Sequence, residues 1–423
     1  MRPASQFLRQ TLLAALLAIP VLSSAQDQLV QQVNPDSRNS VAQQQKPYVI
    51  LISADGFRYD YAKKYNAAHL LELSQTGARA KSMIPSYPSL TFPNHYTLAT
   101  GLYPAHHGLV NNSFYDEKRQ ETYRLSDKTK VTDGSWYGGT PLWVLAEKQQ
   151  MIAASLFWVG SEAAIQGVRP TYYYNYTEQI TPAQRVQIVK DWLDLPEDRR
   201  PHLITCYLSE PDHSGHTYGP DTKQTEAAVK MVDSTVYMLT EMVKSTGLPV
   251  NFIFVSDHGM TAVDTSRPIA IPAAVDPKKY IVASSGTLVD IHAKDKADVE
   301  PLYQELKRTA VDYKVYLKSD MPKVYHYRDT DDRLNHIGDV LLIPTWPRVF
   351  SNRTPNIGNH GFDPRKVKEM QATFFAWGPA FKANKKIGSF ENVNVYPLVS
   401  EILGLQVTAP VDGKISVLGK LLR

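Results

Sequence analysis

The sequence predicts a doubly wound α/β fold, in which a mostly parallel sheet carries helices on both faces and a small α+β subdomain is inserted. Three apolar runs rich in β-forming residues lie at 48–57, 201–212 and 250–260. Amphipathic helical patterns separate them, at 67–77, 181–195 and 225–247. Near-continuous apolar strands are typical of a parallel sheet that is covered on both faces, and the alternation with helices supplies that cover.

The first residues of the chain predict export. Two arginines precede an apolar run at 12–22, and the small residue Ala25 follows that run. This order is typical of a secretory signal peptide, and the run is shorter than the roughly 20 residues that span a bilayer. We therefore expect residues 1–25 to be a cleaved signal peptide, and the mature protein to be periplasmic or secreted without a transmembrane anchor.

The rest of the chain divides by composition. Residues 26–45 are rich in Gln, Asn and Ser without periodicity, which predicts a flexible leader. The length of the remainder allows two or three domains or one large α/β domain, and the change to short mixed segments from about 261 to 346 indicates an insertion or a small α+β subdomain. The chain has 46 Lys and Arg against 42 Asp and Glu, so its net charge is only +4. Since no basic run stands out, we do not expect a nucleic-acid duplex as a partner.

Acidic residues and histidines follow the apolar runs. They are Asp55, Asp212, Asp257, His216, His258 and His360. The carboxyl ends of parallel strands meet at one edge of a sheet, so these side chains should converge. Converging carboxylates repel each other unless cations are bound, and Asp and His ligands without a thiolate suit zinc best, with manganese or iron as alternatives. A single Asp–His pair could instead cap a helix. The joint occurrence favours two divalent ions.

Six motifs connect the chain to a known family. They are DGFR at 55–58, PSLTFPNHYTLATGLYPAHHGLVNN at 88–112, WYGGTPLW at 136–143, EPDHSGHTYGP at 210–220, SDHGM at 256–260 and GNHGF at 358–362. In residues and order they closely resemble the nucleotide pyrophosphatase/phosphodiesterase family of the alkaline phosphatase superfamily, in its compact bacterial form. The resemblance covers about 47–405 and implies one alkaline-phosphatase-like catalytic domain over 46–423.

The resemblance implies a ligand and nucleophile set. It places one zinc ion on Asp212, His216 and His360, and a second on Asp55, Asp257, His258 and Thr91. The resemblance makes Thr91 the nucleophile that forms a phosphothreonine intermediate. A threonine hydroxyl needs activation by a metal or a base, and coordination to the second zinc ion would supply it. Asn112 is implied as the phosphate-oxygen donor, together with the backbone amide of Thr91. Alternatively, Thr91 caps a helix and Asn112 belongs to a turn. We expect His95, His106 and His107 to be structural.

The resemblance also implies a nucleotide pocket. Phe92 and Tyr176 correspond to the pair that sandwiches the base, and Leu125 and Tyr207 correspond to further lining residues. Stacking tolerates any base, so we expect little base preference. If the pair binds the base of the nucleotide that becomes attached to Thr91, ATP would yield AMP and pyrophosphate. Two alternatives stay open: a choline-type glycerophosphodiesterase on the same scaffold, because aromatic residues also bind choline, and a non-enzymatic zinc-binding envelope protein.

Overall fold

The computed structural model describes residues 29–423. The predicted signal peptide at 1–25 lies outside the described residues. The strands are β1 (Gln31–Val33), β2 (Tyr48–Ala54), β3 (Ala78–Ala80), β4 (Met83–Ile84), β5 (Ser113–Asp116), β6 (Glu121–Arg124), β7 (Ala153–Leu156), β8 (Tyr172–Tyr174), β9 (Leu203–Leu208), β10 (Val250–Val255), β11 (Thr261–Ala262), β12 (Tyr280–Ser284), β13 (Val289–Ala293), β14 (Tyr313–Leu317), β15 (Val340–Pro344), β16 (Gly358–Asn359), β17 (Phe374–Trp377), β18 (Lys385–Ile387) and β19 (Phe390–Glu391).

The α-helices in the same part of the chain follow the predicted pattern. They are α1 (Val41–Gln44), α2 (Tyr61–Lys64), α3 (Ala68–Thr76), α4 (Thr91–Thr100), α5 (Pro104–His107), α6 (Lys128–Val131), α7 (Leu142–Lys148), α8 (Pro182–Leu193), α9 (Asp212–Tyr218), α10 (Lys223–Thr246), α11 (Val299–Thr309), α12 (Val395–Leu403) and α13 (Ile415–Leu418). The predicted helices at 67–77, 181–195 and 225–247 are α3, α8 and α10. Gly247 ends α10 with a φ of +70°, a conformation that glycine adopts without strain.

A large mixed sheet forms the centre of the molecule. Its strand order is β1-β8-β7-β9-β2-β10-β17-β3-β18. The five strands from β8 to β10 in this order are parallel to one another, whereas β1 and β17 pair antiparallel with them. Successive residues of β2 enter opposite cores: Val49 and Leu51 pack on the side of α12, and Ile50 and Ile52 pack on the side of α10. Burial on both faces explains why the sequence of β2 is apolar without alternation. The predicted α/β fold class is confirmed.

A second sheet lies within the range 261–346, where the sequence pattern changes. Its order is β12-β13-β15-β14, and every neighbouring pair is antiparallel. Val289 and Ile291 of β13 pack in a core of their own with Leu302 of α11. The residues that alternate with them, Asp290 and His292, are buried on the opposite face. This second sheet is called the inserted sheet below.

The segment before the first long strand differs from the flexible leader that its composition predicts. Gln31–Val33 pairs antiparallel with β8, and Ser40 caps α1 by accepting a hydrogen bond from the backbone N–H of Gln43. Asn39 is buried and donates to the backbone oxygens of Glu197 and Arg200. A polar segment is ordered here because the edge of the sheet offers unpaired backbone groups. No helix within residues 29–423 is long and apolar enough to cross a membrane.

Candidate active site

The carboxyl ends of three adjacent strands bring the predicted carboxylates together. Asp55 directly follows β2, Asp257 follows β10, and Asp212 begins α9 after β9. Since β2 lies between β9 and β10 in the sheet, these carboxylates lie at neighbouring strand ends. Gly56 permits the close approach, because its φ is +67° and a Cβ there would lie 3.0 Å from the Cα of Asp212. The backbone therefore fixes the spacing of the acidic groups.

The acidic groups need positive charge around them. Burial, followed by the charges of Asp257 and Asp212, raises the pKa of Asp55 well above its ordinary value. Burial acts in the same direction on Asp257, but the imidazoles of His258 and His95 outweigh it and hold the pKa of Asp257 well below the ordinary value. Asp55 Oδ1, Asp212 Oδ1 and Asp257 Oδ2 are buried and accept no hydrogen bond from the described residues. Buried carboxylate oxygens of this kind are suited to a cation.

Three imidazoles turn the same nitrogen towards this cluster. In His216, His258 and His360, Nδ1 donates to a backbone carbonyl oxygen. The acceptors are Gly358, Gly259 and Ser89, at 2.8, 2.9 and 3.0 Å respectively. A proton on Nδ1 leaves Nε2 with a free lone pair, which is the arrangement of metal-ligating histidines. The Nε2 atoms of His216 and His360 lie only 3.1 Å apart, so two lone pairs face one position.

Within residues 29–423, the side chains form three groups that could hold a metal ion, each with donor atoms within 4.8 Å of one another. The groups are Asp212, His216 and His360; Asp55, Asp212 and His258; and Asp55, His95 and Asp257. The first group has the composition of the first predicted ligand set. The other two contain the Asp and His residues of the second predicted set, together with Asp212 and His95. The donors therefore fit two neighbouring cations that prefer nitrogen and oxygen ligands, as zinc does.

Thr91 is the first residue of α4 and reaches the same cluster. Its hydroxyl Oγ1 lies 3.2 Å from Nε2 of His258. Leu90, with φ −115° and ψ 157°, occupies the capping position, so the alternative that Thr91 caps the helix is wrong by one residue. The hydroxyl is free of a capping bond and lies at the positive end of α4, where an anionic oxygen is favoured.

Asn112 lies beside Thr91 in the same cleft. Its side-chain oxygen accepts a hydrogen bond from the backbone N–H of Phe92, at 3.0 Å. This bond fixes the amide plane, and it uses the oxygen, so that the NH₂ group of Asn112 is left to donate to a ligand. Asn112 therefore does more than form a turn, because its side chain is bonded to the first turn of α4.

The three histidines that we expect to be structural lie in different surroundings. His107 donates to or accepts from Thr97 at 3.0 Å, and burial lowers its pKa to about 3. His106 binds Asp412, at 2.7 Å. His95, however, is part of the cluster, because its Nδ1 lies 3.2 Å from Asp257 Oδ2. The sequence carried a signal for this contact: His95 is four residues after Thr91 and so lies on the same face of α4.

One cleft of about 620 Å³ connects the cluster with aromatic side chains. Among its lining residues are the four predicted pocket residues Phe92, Leu125, Tyr176 and Tyr207. The sequence did not indicate several others, including Lys128, Phe157, Trp158, Glu162 and Glu178. Tyr207 also donates its hydroxyl proton to Asp55 Oδ2, at 2.7 Å, so it holds a carboxylate of the cluster as well as lining the cleft. The cleft is therefore lined by the nucleophile candidate, by the aromatic residues and by four of the predicted Asp and His ligands, which are Asp55, Asp212, His216 and His360.

These features define the class of the protein: an alkaline-phosphatase-like α/β fold with a candidate metal-binding cluster at the carboxyl ends of its central strands. The family model described as type I phosphodiesterase / nucleotide pyrophosphatase matches residues 49–363. The chain belongs to this family.

Curated relatives match the chain over most of its length. It is 34% identical over 403 residues to ectonucleotide pyrophosphatase/phosphodiesterase family member 1 of Mus musculus, which covers 92% of this chain and 44% of the relative. It is 36% identical over 389 residues to the venom phosphodiesterase CdcPDE of Crotalus durissus collilineatus, covering 89% and 46% respectively. The chain thus spans less than half the length of these relatives.

Solved structures of similar fold agree with this family. Murine ectonucleotide pyrophosphatase/phosphodiesterase 5 superposes with a TM-score of 0.82 and 28% identity, covering 89% of this chain and all of that chain. An inactive threonine-to-alanine variant of the murine protein, in complex with AMP, has the same TM-score of 0.82.

Proposed function

We propose that the chain is an exported nucleotide pyrophosphatase/phosphodiesterase that uses two zinc ions and Thr91 to cleave ATP into AMP and pyrophosphate. The observation that carries this proposal is the single cleft that joins the ligand cluster, Thr91 and the aromatic residues Phe92 and Tyr176. The AMP complex of the inactive threonine variant of a related protein supports both the kind of ligand and the importance of a threonine.

The family resemblance supplies the proposed zinc ligands, and the donor group Asp212, His216 and His360 supports the first set. One ion is held by Asp212, His216 and His360, and the second by Asp55, Asp257, His258 and Thr91. When bound, the two ions would neutralise the charge on the phosphate oxygens and favour the ionised form of the Thr91 hydroxyl. Tyr207 contributes by donating to Asp55, and the imidazole of His95 lies 3.2 Å from Asp257 Oδ2.

The proposed chemistry consists of two displacements at phosphorus. The Thr91 hydroxyl oxygen attacks the α-phosphorus of ATP, the bond to the bridging oxygen breaks, and pyrophosphate leaves. Asn112 donates from its NH₂ group, and the backbone N–H of Thr91 donates beside it, to the phosphate oxygens that gain charge. One such donor is typically worth about 3 to 4 kcal/mol. Water then attacks the phosphorus bound to Thr91, which releases AMP and restores the hydroxyl.

The proposed nucleotide pocket begins next to the nucleophile. Phe92 follows Thr91 in the chain, and Tyr176 is 41% exposed in the cleft, so both rings are accessible to a base. The ring of Tyr176 lies against Tyr207, with centroids 6.0 Å apart at an angle of 62°. Stacking of a base on an aromatic side chain is worth about 1 to 3 kcal/mol per base.

A second candidate function is hydrolysis of choline-type phosphodiesters. The observation in its favour is that two carboxylates, Glu162 and Glu178, line the cleft beside Tyr176. Glu162 accepts from the backbone N–H of Tyr176 at 2.8 Å, so its charge is held at the aromatic wall, where a quaternary ammonium group would bind. Lys128 lines the same cleft and weakens that attraction.

The test is a substrate panel with purified protein of defined metal content. It consists of ATP, glycerophosphocholine and bis-p-nitrophenyl phosphate, with products identified by chromatography. AMP and pyrophosphate as the main products support the proposal, and a preference for glycerophosphocholine supports the second candidate. No turnover by fully metallated protein would favour the non-enzymatic zinc-binding alternative. Export is tested separately, because the proposal requires the mature protein in the periplasm or medium to begin close to Gln26.

A further inference from the structure

One of the contacts between the inserted sheet and the candidate active site is made by a buried carboxyl group. Asp290 lies in the middle of β13, and its side chain is 0% exposed. Its neighbours Val289 and Ile291 face the core of the inserted sheet with α11. Asp290 faces the other way and accepts a hydrogen bond at Oδ2 from the side-chain NH₂ of Asn111, at 2.9 Å. This bond joins two parts of the chain that are 179 residues apart.

Asn111 immediately precedes Asn112, so this bond fixes the backbone at the proposed phosphate donor. Two other contacts act on Asn112 itself. Its side-chain oxygen accepts from Phe92 N–H at 3.0 Å, and its backbone oxygen accepts from Leu125 N–H at 3.0 Å. The pair 111–112 is thus held from three directions, by the N-terminus of α4, by the end of β6 and by the inserted sheet.

We propose that Asp290 is a positioning residue, through which the inserted sheet holds Asn112 in the orientation that donates to the phosphate of the substrate. The inference rests on the proposed function, because a donor to phosphate matters only if a phosphodiester is bound. It gives the inserted sheet a role in the reaction although none of its strands supplies a predicted ligand or nucleophile.

The cost of burying Asp290 supports this assignment. Burial raises the pKa of Asp290 to about 6, while Asn111, His292 and the backbone of Gly338 favour the ionised form, and Asp332 opposes it. Burial raises the pKa of Tyr87 and of Tyr327, and the charge of Asp290 acts in the same direction on both. An apolar residue on β13 would avoid the desolvation cost of a carboxyl group. The bond to Asn111 is a benefit that an apolar residue could not provide.

Two substitutions break the bond from its two sides, and one conservative change keeps it. Asp290→Ala removes the acceptor, and Asn111→Ala removes the donor. Asp290→Asn keeps an acceptor oxygen for Asn111 but cannot ionise. Asp339→Ala is the matched control, because Asp339 binds the backbone N–H of Ala293 and the ammonium group of Lys296 without contacting 111–112. It therefore weakens the inserted sheet without releasing Asn112.

The expected result is a change in kcat at nearly constant KM. Asp290→Ala and Asn111→Ala should each lower kcat for ATP about 10- to 100-fold, less than full removal of a donor, with KM within about twofold of the wild type. Asp290→Asn should restore most of kcat, and Asp339→Ala should keep kcat while lowering the melting temperature. If Asp290→Ala fails to fold, Asn111→Ala still reports on the same bond.

A double-mutant comparison separates positioning from general damage. In an Asn112→Ala background, Asp290→Ala should cause no further loss of kcat beyond about twofold, because the group that it positions is already gone. Losses that multiply would overturn the inference, as would wild-type kcat in both Asp290→Ala and Asn111→Ala. In either case the proposed function stands, provided that the wild type cleaves ATP. A wild type that cleaves no diester would overturn both.

Discussion

Two regions of the molecule bury an aspartate whose pKa is raised, and they do so for different reasons. At the strand ends of the central sheet, Asp55 is buried beside two further carboxylates, and one of its oxygens accepts no hydrogen bond from the described residues. In the inserted sheet, burial raises the pKa of Asp290, and Asn111 and His292 favour its ionised form. Burial alone therefore does not distinguish a metal ligand from a positioning residue.

The surroundings of each carboxylate make the distinction. Asp55 accepts a hydrogen bond from Tyr207 at Oδ2, but the charges of Asp257 and Asp212 oppose its ionised form. Three histidines turn Nε2 lone pairs towards these acidic groups, which suits the cluster to a cation. At Asp290, the side-chain NH₂ of Asn111 donates to Oδ2, and the charge of His292 favours the ionised form. The comparison predicts that the strand ends depend on metal, whereas the inserted sheet depends on hydrogen bonding.

Metal removal should produce the largest effect and should separate the two regions. Chelation should abolish ATP hydrolysis, and zinc should restore it, because the carboxylates repel each other without cations. Zinc should also raise the melting temperature of the wild type, since a ligand at 100 times its Kd stabilises by about 2.7 kcal/mol. Asp290→Asn should retain this shift in full, and Asp55→Ala should lose much of it. Differential scanning fluorimetry measures these shifts in melting temperature. Equal shifts in both variants would contradict the distinction between the strand ends and the inserted sheet.

Replacement of the nucleophile should be the next largest effect. Thr91→Ala should retain both metal ions, because the Asp and His ligands remain, but should lose turnover on the order of 10³-fold or more. Thr91→Ser keeps a hydroxyl and serves as the control that retains measurable activity. Metal content by mass spectrometry and initial rates check the prediction, and near-normal rates in the metallated alanine variant would contradict the role of Thr91.

Removal of the stacking residues should have a moderate effect that depends on the substrate. Phe92→Ala should lower kcat/KM for ATP by about 1 to 3 kcal/mol in transition-state terms, and Tyr176→Ala should be similar. Bis-p-nitrophenyl phosphate carries no base, so its hydrolysis should change less. Phe92→Tyr keeps the ring and is the matched control. Equal losses on both substrates would show that the aromatic residues do not bind the base.

The smallest effect on turnover is expected at a third carboxyl group, which is half-buried. Glu147 accepts from the backbone N–H groups of Ala153 and Thr171, and burial raises its pKa to about 7. The folded state then binds more protons than the unfolded state between about pH 4.5 and 7, so this group lowers stability as the pH rises through that window.

Glu147→Gln should remove this contribution while keeping the acceptor oxygen. Between pH 5 and 8, its free energy of unfolding relative to wild type should rise by roughly 1 to 3 kcal/mol. Turnover at pH 8 should stay within about twofold of the wild type, because Glu147 does not line the cleft. Urea unfolding at both pH values checks this, and parallel pH profiles would contradict the assigned pKa.

The sequence indicated the strand ends of the central sheet because their geometry is repetitive. Asp55, Asp212 and Asp257 each follow an apolar run, and parallel strands necessarily bring their carboxyl ends to one edge. The pairing of Asp290 with Asn111 could not be predicted, since it depends on which face of the inserted sheet meets a loop 179 residues away. The spacing of four residues places His95 and Thr91 on one face of α4, but the contact of His95 with Asp257 depends in addition on the rotation of α4 about its axis. Local pattern determines the periodic elements, whereas contacts between separate elements require the packed structure.

Cleavage of ATP in two displacements through Thr91 fixes the stereochemical course at phosphorus, which can be measured. The measurement is hydrolysis of one diastereomer of the α-thio analogue of ATP in isotopically labelled water, with the configuration of the product monophosphate determined by NMR. Each in-line displacement inverts the phosphorus, so attack by Thr91 followed by attack of water predicts net retention of configuration. Net inversion would show a single direct attack by water and would contradict the role of Thr91 as nucleophile.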